Sequence, residues 1–172
     1  MLLTVQIPVL PHVLKYITKK HGGQFKLSRK HNEGKMLYHM LRNQQDIKRF
    51  DLARSKYRDT LNVHVSVDAY KERACSTISS TTIYDFNNFI DATIKDEFIH
   101  YVETLREFDT KLTVDQMVDG FMGKYCFDDG DITPFVLKQT YNRYKRAQKK
   151  KMEGIPVFSA AVVSNSPSAR IA

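Results

Sequence analysis

The chain is predicted to be an α+β protein, in which a small, mostly antiparallel sheet from the N-terminal half packs on a helical C-terminal half. Three patterns carry this. Leu61, Val63, Val65 and Val67 alternate with Asn62, His64 and Ser66, the period of two that a half-buried strand requires. From Ile83 through Phe86, Ile90, Ile94, Phe98, Tyr101 and Leu105 to Phe108 the apolar period becomes helical, and the stripe is long enough to form the central helix of the core. Two marked helix starts follow. Thr113 and Gln116 have the spacing of a capping box, and Thr133-Pro134 puts a capping hydroxyl before a residue that needs no amide hydrogen.

In chain order, Leu3, Val5, Ile7 and Val9 alternate with Thr4, Gln6 and Pro8, which predicts a strand whose proline marks an end or a sheet edge. Pro11 opens a helix through His21, with Val13, Leu14 and Ile17 inward and Gly22 closing it. Phe25 and Leu27 suggest a short strand, and residues 33–44 a helix with Met36, Leu37, Met40 and Leu41 on one side. Residues 44–56 are polar and show no clear period. The strand at 61–67 and a Ser/Thr cluster precede the long helix, set at 82–108. Phe89, Ala92 and Ile99 fall on its reverse side, which suits a second packing surface or a homodimer contact through Phe89 and Ile99; as scattered surface residues they need no partner.

Next comes a helix to Tyr125 with Val114, Met117, Val118, Phe121 and Met122 inward, then a turn from Cys126 to Asp131, then the last helix over 132–152. From Gly154 onward Ser, Ala, Val and Pro dominate, so 154–172 reads as a tail, partly extended around Val157 to Val163. One domain over 1–153 is expected, divisible into a sheet-containing 1–80 and a helical 81–153. The end of this domain resembles a helix-turn-helix, although seven residues from Cys126 to Ile132 exceed the usual tight turn.

A chain of 172 residues with 42% hydrophobic content can bury a core without a metal or disulfides. Cys75 and Cys126 lie far apart, and Met1 to Leu10 lacks a basic leader and is interrupted by Thr4, Gln6 and Pro8. The expectation is two reduced thiols in a soluble cytoplasmic protein, with no membrane partner.

The net charge of +8 is uneven: residues 1–32 carry six cations and no acid, 85–131 four cations against twelve acids, and 132–172 eight against one. Basic ends around an acidic middle suit a polyanion held at the ends, or pairing between the segments themselves. The last helix is the strongest indicator. Between Ile132 and Met152 it holds Lys138, Arg143, Lys145, Arg146, Lys149, Lys150 and Lys151 and no acid. At about 100° per residue, Leu137, Tyr141, Tyr144 and Gln148 share one face, while Lys138, Asn142, Lys145 and Lys149 form another, flanked by Gln139, Arg146 and Lys150. One face packs. The other offers cations for phosphates and amides or guanidinium groups for base edges. Read only as structure, the same run is a solvated helix end.

Thr4-Val5-Gln6-Ile7-Pro8 followed by a short helix, glycines and a second helix resembles the ribbon-helix-helix order of bacterial repressors. That resemblance covers the first quarter of the chain and implies an obligatory dimer with Thr4 and Gln6 reading the major groove. The connection from Gly22 to Asn32 is far longer than in that family, so membership is not assigned. Lys15, Lys19, Lys20, Lys26, Arg29 and Lys30 in this region suit phosphate under either fold.

An enzyme would have to be assembled from scattered parts, because no phosphate-cradling glycine loop, nucleophile elbow, HExxH or paired CxxC occurs. His64, Ser66 and Asp68 supply triad residue types, but strand spacing separates them too widely for a proton relay. Tyr141 and Tyr144 lie on the apolar stripe and are better placed to pack than to attack a phosphodiester. Asp128, Asp129 and Asp131 lack the spacing of a calcium loop, and the six histidines look isolated from one another. No metal, cofactor or small-molecule substrate is expected. The predicted function is non-catalytic DNA binding, accessory or regulatory in transcription, by the basic C-terminal helix. RNA is a second ligand class, less favoured because the clustered aromatics of a stacking platform are missing. The competing class is a structural or assembly protein acting through the long helix.

Overall fold

Every second residue of the strand Asp59–Ser66 points into the core, and this strand is the centre of the sheet. In the computed structural model, which describes residues 1–41, 56–73, 75 and 78–153, the elements run β1 (Leu2–Val9), α1 (Pro11–His21), β2 (Phe25–Lys26), α2 (Asn32–Met40), β3 (Asp59–Ser66), α3 (Val67–Glu72), α4 (Ser80–Phe108), α5 (Val114–Tyr125) and α6 (Pro134–Glu153). The unassigned polar stretch, apart from Lys56, and the expected tail lie outside the described residues. The architecture is α+β. β1 pairs antiparallel with β3 from Leu2↔Ser66 to Val9↔Asp59, whereas β2 pairs with β3 in parallel, so the sheet is mixed. Val5, Ile7, Val9, Phe25, Leu61, Val63 and Val65 face the helices, and Thr4, Gln6, Lys26, Thr60 and Asn62 are exposed on the opposite side. The edge position of β1 accommodates Pro8. The β1 ladder is built with β3 of the same chain, where a ribbon-helix-helix protein would use a second copy.

β3 ends one residue earlier than its alternation suggests. Ser66 accepts the Ala69 amide through its side chain and caps α3, so Val67 opens a helix and Asp68 sits in its first turn. The strand-to-helix transition thus places His64 and Ser66 in β3 and Asp68 in α3. In α1 the buried face is His12, Val13, Tyr16 and Ile17; Leu14, expected inside, is half-buried, and Tyr16 takes the inward place.

The long helix is capped by Ser79, whose hydroxyl accepts the Thr82 amide, and it starts two residues before its expected position. Its buried residues are Ser80 and Thr82 in the first turn, then Ile83, Phe86, Asn87, Ile90, Ile94, Phe98 and Val102. Steps of four residues advance the stripe by about 40° each, so the buried face winds round the helix as its neighbours change. For that reason Val102 is buried, Tyr101 and Leu105 are half-buried, and Phe108 is 83% exposed at the helix end, contrary to the expectation that it joins the stripe. Phe121 of α5 packs against Phe98, Tyr101, Tyr125 and Phe127, with ring centroids 5.2, 5.6, 5.2 and 6.3 Å away. A single hydrophobic cluster runs from Val5 of β1 to Tyr141 of α6.

Asn87 links the two halves. Fully buried, its side-chain oxygen accepts the Leu10 amide at 2.8 Å, and its nitrogen donates to the carbonyls of Pro8 at 3.1 Å and Ile83 at 2.8 Å. α5 begins with the full capping box, in which Thr113 and Gln116 satisfy each other's amides. It ends at Cys126, whose positive φ of 55° turns the chain.

Candidate nucleic-acid interface

The basic helix α6 is seated from its first turn. Thr133 Oγ1 accepts the Val136 amide at 3.4 Å, and Ile132, Leu137 and Tyr141 are buried around it. The Tyr141 hydroxyl donates to Glu103 at 2.6 Å; burial, with help from this bond, pushes the phenol up to about 12. Lys138 reaches Asp115 of α5 at 2.7 Å, and Lys145 lies 4.0 Å from Glu103 of α4. Beneath the start of the helix, Lys15 of α1 holds Asp128 at 2.7 Å and Asp131 at 2.5 Å. The hydrogen bonds to these two carboxylates raise the Lys15 ammonium well above the ordinary lysine value. Part of the acidic middle segment is therefore spent on orienting α6.

Past Tyr144 the helix is largely exposed, with Lys145 still 4.0 Å from Glu103 of α4. Lys145, Arg146, Ala147, Lys149, Lys150, Lys151 and Met152 are exposed and Gln148 alone is half-buried. Nine residues of helix extend about 13 Å, enough for a rigid basic projection. Among the described residues, no carboxylate lies within ion-pair distance of Arg143, Arg146, Lys150 or Lys151. Gln139 and Asn142 are exposed nearer the domain.

The N-terminal cations divide differently. Lys15 and Lys20 are held in intramolecular ion pairs, whereas Lys19, Lys26 and Lys30 are exposed. The Arg29 guanidinium stacks over Tyr38 at 4.5 Å. Lys15 meets the loop before α6, whereas Arg143 lies roughly 13 Å along the helix from its first residue. Phe89 and Ile99 are both half-buried, and Phe89 packs against the core from its side of α4.

A polar network between α1, α4 and α5 has no counterpart in the sequence reading. Glu97 accepts from Tyr16 at 2.8 Å, from Lys124 at 2.9 Å and from Tyr125. Lys20 joins it, donating to the Tyr16 hydroxyl at 2.8 Å and lying 2.8 Å from Glu33. Burial pushes Glu97 up, but the bonds from Tyr125, Lys124 and Tyr16 outweigh it and hold the carboxyl below its ordinary value. Glu33 is lowered in the same way, against burial, by Lys20 and its own backbone amide. A lowered folded value means stability that is present above the ordinary carboxylate range and lost as pH falls through the folded value. Glu97→Gln is therefore expected to flatten the decline of melting temperature between neutral pH and roughly pH 3, measured by circular dichroism. An unchanged profile would remove Glu97 from the acid response.

The fold also corrects the view that the histidines are isolated. The rings of His21 and His31 lie with centroids 4.4 Å apart, tilted by 44°, and both face Glu33. Their spacing in sequence carries no ligand motif, so only the chain reversal at Gly22 and Gly23, both with positive φ, reveals the pair. Comparison with known protein families, curated proteins and solved structures finds no match. No described helix is long and apolar enough to cross a membrane.

Proposed function

We propose that the protein binds duplex DNA through the projecting half of α6 and acts without catalysis, as an accessory or regulatory factor in transcription. One observation carries this reading: a helix anchored by Leu137 and Tyr141 presents Arg143, Lys145, Arg146, Lys149, Lys150 and Lys151 to solvent on its outer half. Such a helix approaches DNA without first having to order itself, and its cations release counterions from phosphates. A major groove about 12 Å wide admits it. Asn142 and Gln139 are the residues suited to base edges, while Lys19, Lys26, Arg29 and Lys30 suit phosphates elsewhere on the ligand. Lys15, Lys20 and Lys138 act mainly in the ion pairs that position these groups. RNA is the less favoured ligand, because the major groove of an A-form duplex is too deep and narrow for this helix.

The two free thiols, Cys75 buried and Cys126 exposed, agree with a reducing cytoplasmic setting. Half-burial of Phe89 and Ile99 leaves limited apolar area for a second copy, which favours a monomeric binder over a dimer through that face or an assembly protein. Replacing Arg143, Arg146, Lys150 and Lys151 together with Gln tests the reading. These side chains make no intramolecular ion pair among the described residues, so the fold and melting temperature should survive. Affinity for duplex DNA at low salt should fall more than about tenfold. Equal affinity in the folded variant would take α6 out of the interface.

A further inference from the structure

Two imidazoles and a carboxylate converge where the chain passes from α1 to α2. His21 ends α1, His31 caps α2, and Glu33 lies in its first turn. His21 Nε2 is 3.7 Å and His31 Nδ1 is 3.8 Å from the same oxygen, Oε2 of Glu33. One donor atom from each residue can be chosen so that all three lie within 4.8 Å of one another. These gaps are too long for hydrogen bonds. They approach the separation of about 3.3 Å between neighbouring ligands of a tetrahedral ion with bonds of about 2.0–2.1 Å.

A second observation points to a ligand: the buried Nε2 of His21 has no hydrogen-bond partner among the described residues. A buried polar nitrogen left unmatched calls for an explanation, and a cation between it and the carboxylate supplies one. Glu33 is 2% exposed and already divides its oxygens, with Oε1 held by Lys20 at 2.8 Å and Oε2 turned to the two rings.

We propose that His21, His31 and Glu33 form a binding site for a divalent transition-metal ion, Zn²⁺ foremost, with a remaining position open to water in the groove lined by Gln24, Lys26 and Ser28. Mixed imidazole and carboxylate ligands suit Zn²⁺ better than Ca²⁺ or Mg²⁺, which take oxygen ligands. Lys20 then serves as the outer partner that orients Glu33. The ion would fasten the end of α1 to the start of α2 across the intervening β2. His31 Nδ1 now accepts the Gly34 amide at 3.0 Å, so coordination through this atom exchanges the cap for a metal bond. Gly34 keeps the ring seated, because a Cβ there would lie 2.4 Å from both His31 Cε1 and Ser28 O. The site involves no residue of α6 and stands independently of the DNA reading.

The experiment is titration of the metal-free full chain with zinc chloride by calorimetry near neutral pH, with cobalt substitution alongside. One ion per chain and a higher melting temperature in zinc are expected. His21→Gln and His31→Gln should each weaken binding by about a hundredfold or more, while His64→Gln and His100→Gln leave it unchanged. Because these variants can also perturb folding, the unmodified protein supplies a second readout. Co²⁺ should produce the visible absorption of a low-symmetry four-coordinate site, and histidine ¹⁵N resonances of His21 and His31 alone should shift. Absence of binding to the folded parent, or binding that survives His21→Gln and His31→Gln undiminished, overturns the proposal.

Discussion

Phe121→Ala is expected to destabilise the protein by about 3–5 kcal/mol, the range typical of a truncated core aromatic. The ring is completely buried and meets Phe98 and Tyr125 at edge-on angles of 63° and 62°, arrangements that add to simple area burial. Removing it opens a cavity among side chains from α4, α5 and the loop before α6, which cannot all close inward at once. The hub also supports Tyr125, and through it the hydrogen bond to Glu97. Urea denaturation checks the result. A loss below about 1 kcal/mol would mean that the core collapses around the gap and that Phe121 is not its organising residue.

Asn87→Leu is expected to cost roughly 3 kcal/mol or more, despite replacing a polar core residue with an apolar one of similar size. The amide satisfies the Leu10 N–H and the Pro8 carbonyl at the junction of β1 and α1, and leucine offers these groups no partner. Their desolvation cost then appears in full. Leu10 makes no side-chain cap for α1, so Asn87 is the group that ties the entry of this helix to α4. If the variant melts with the parent, water or backbone movement replaces the amide and the junction is not held by this residue.

Strand alternation, the helical stripe and the helix starts were legible because each is a local pattern: period two in Leu61, Val63 and Val65, the Thr113 capping box, and the Thr133-Pro134 start. The parallel pairing of β2 was not legible, since two residues show no direction of their own. The end of β3 at Ser66 was missed because Val67 continues the alternation, while the deciding feature is the side-chain cap on Ala69. Phe108 misled for a different reason: a stripe records what can be buried, and the partners of α4 end before it. At the candidate interface, the anchored face of α6 was readable from Leu137 and Tyr141. The ion pairs of Lys15, Lys20 and Lys138 join residues distant in sequence, and no local pattern distinguishes a cation that orients an element from one left for a ligand. The meeting of His21, His31 and Glu33 depends on the same long-range closure.

Binding of the unmodified protein to duplex DNA, measured across a range of salt concentrations, tests the central claim most directly. Six exposed cations from Arg143 to Lys151 engaging phosphates predict that log K falls with log salt at a slope of about −5. No detectable binding at low salt, or an affinity that salt leaves unchanged, would contradict a nucleic-acid interface on α6.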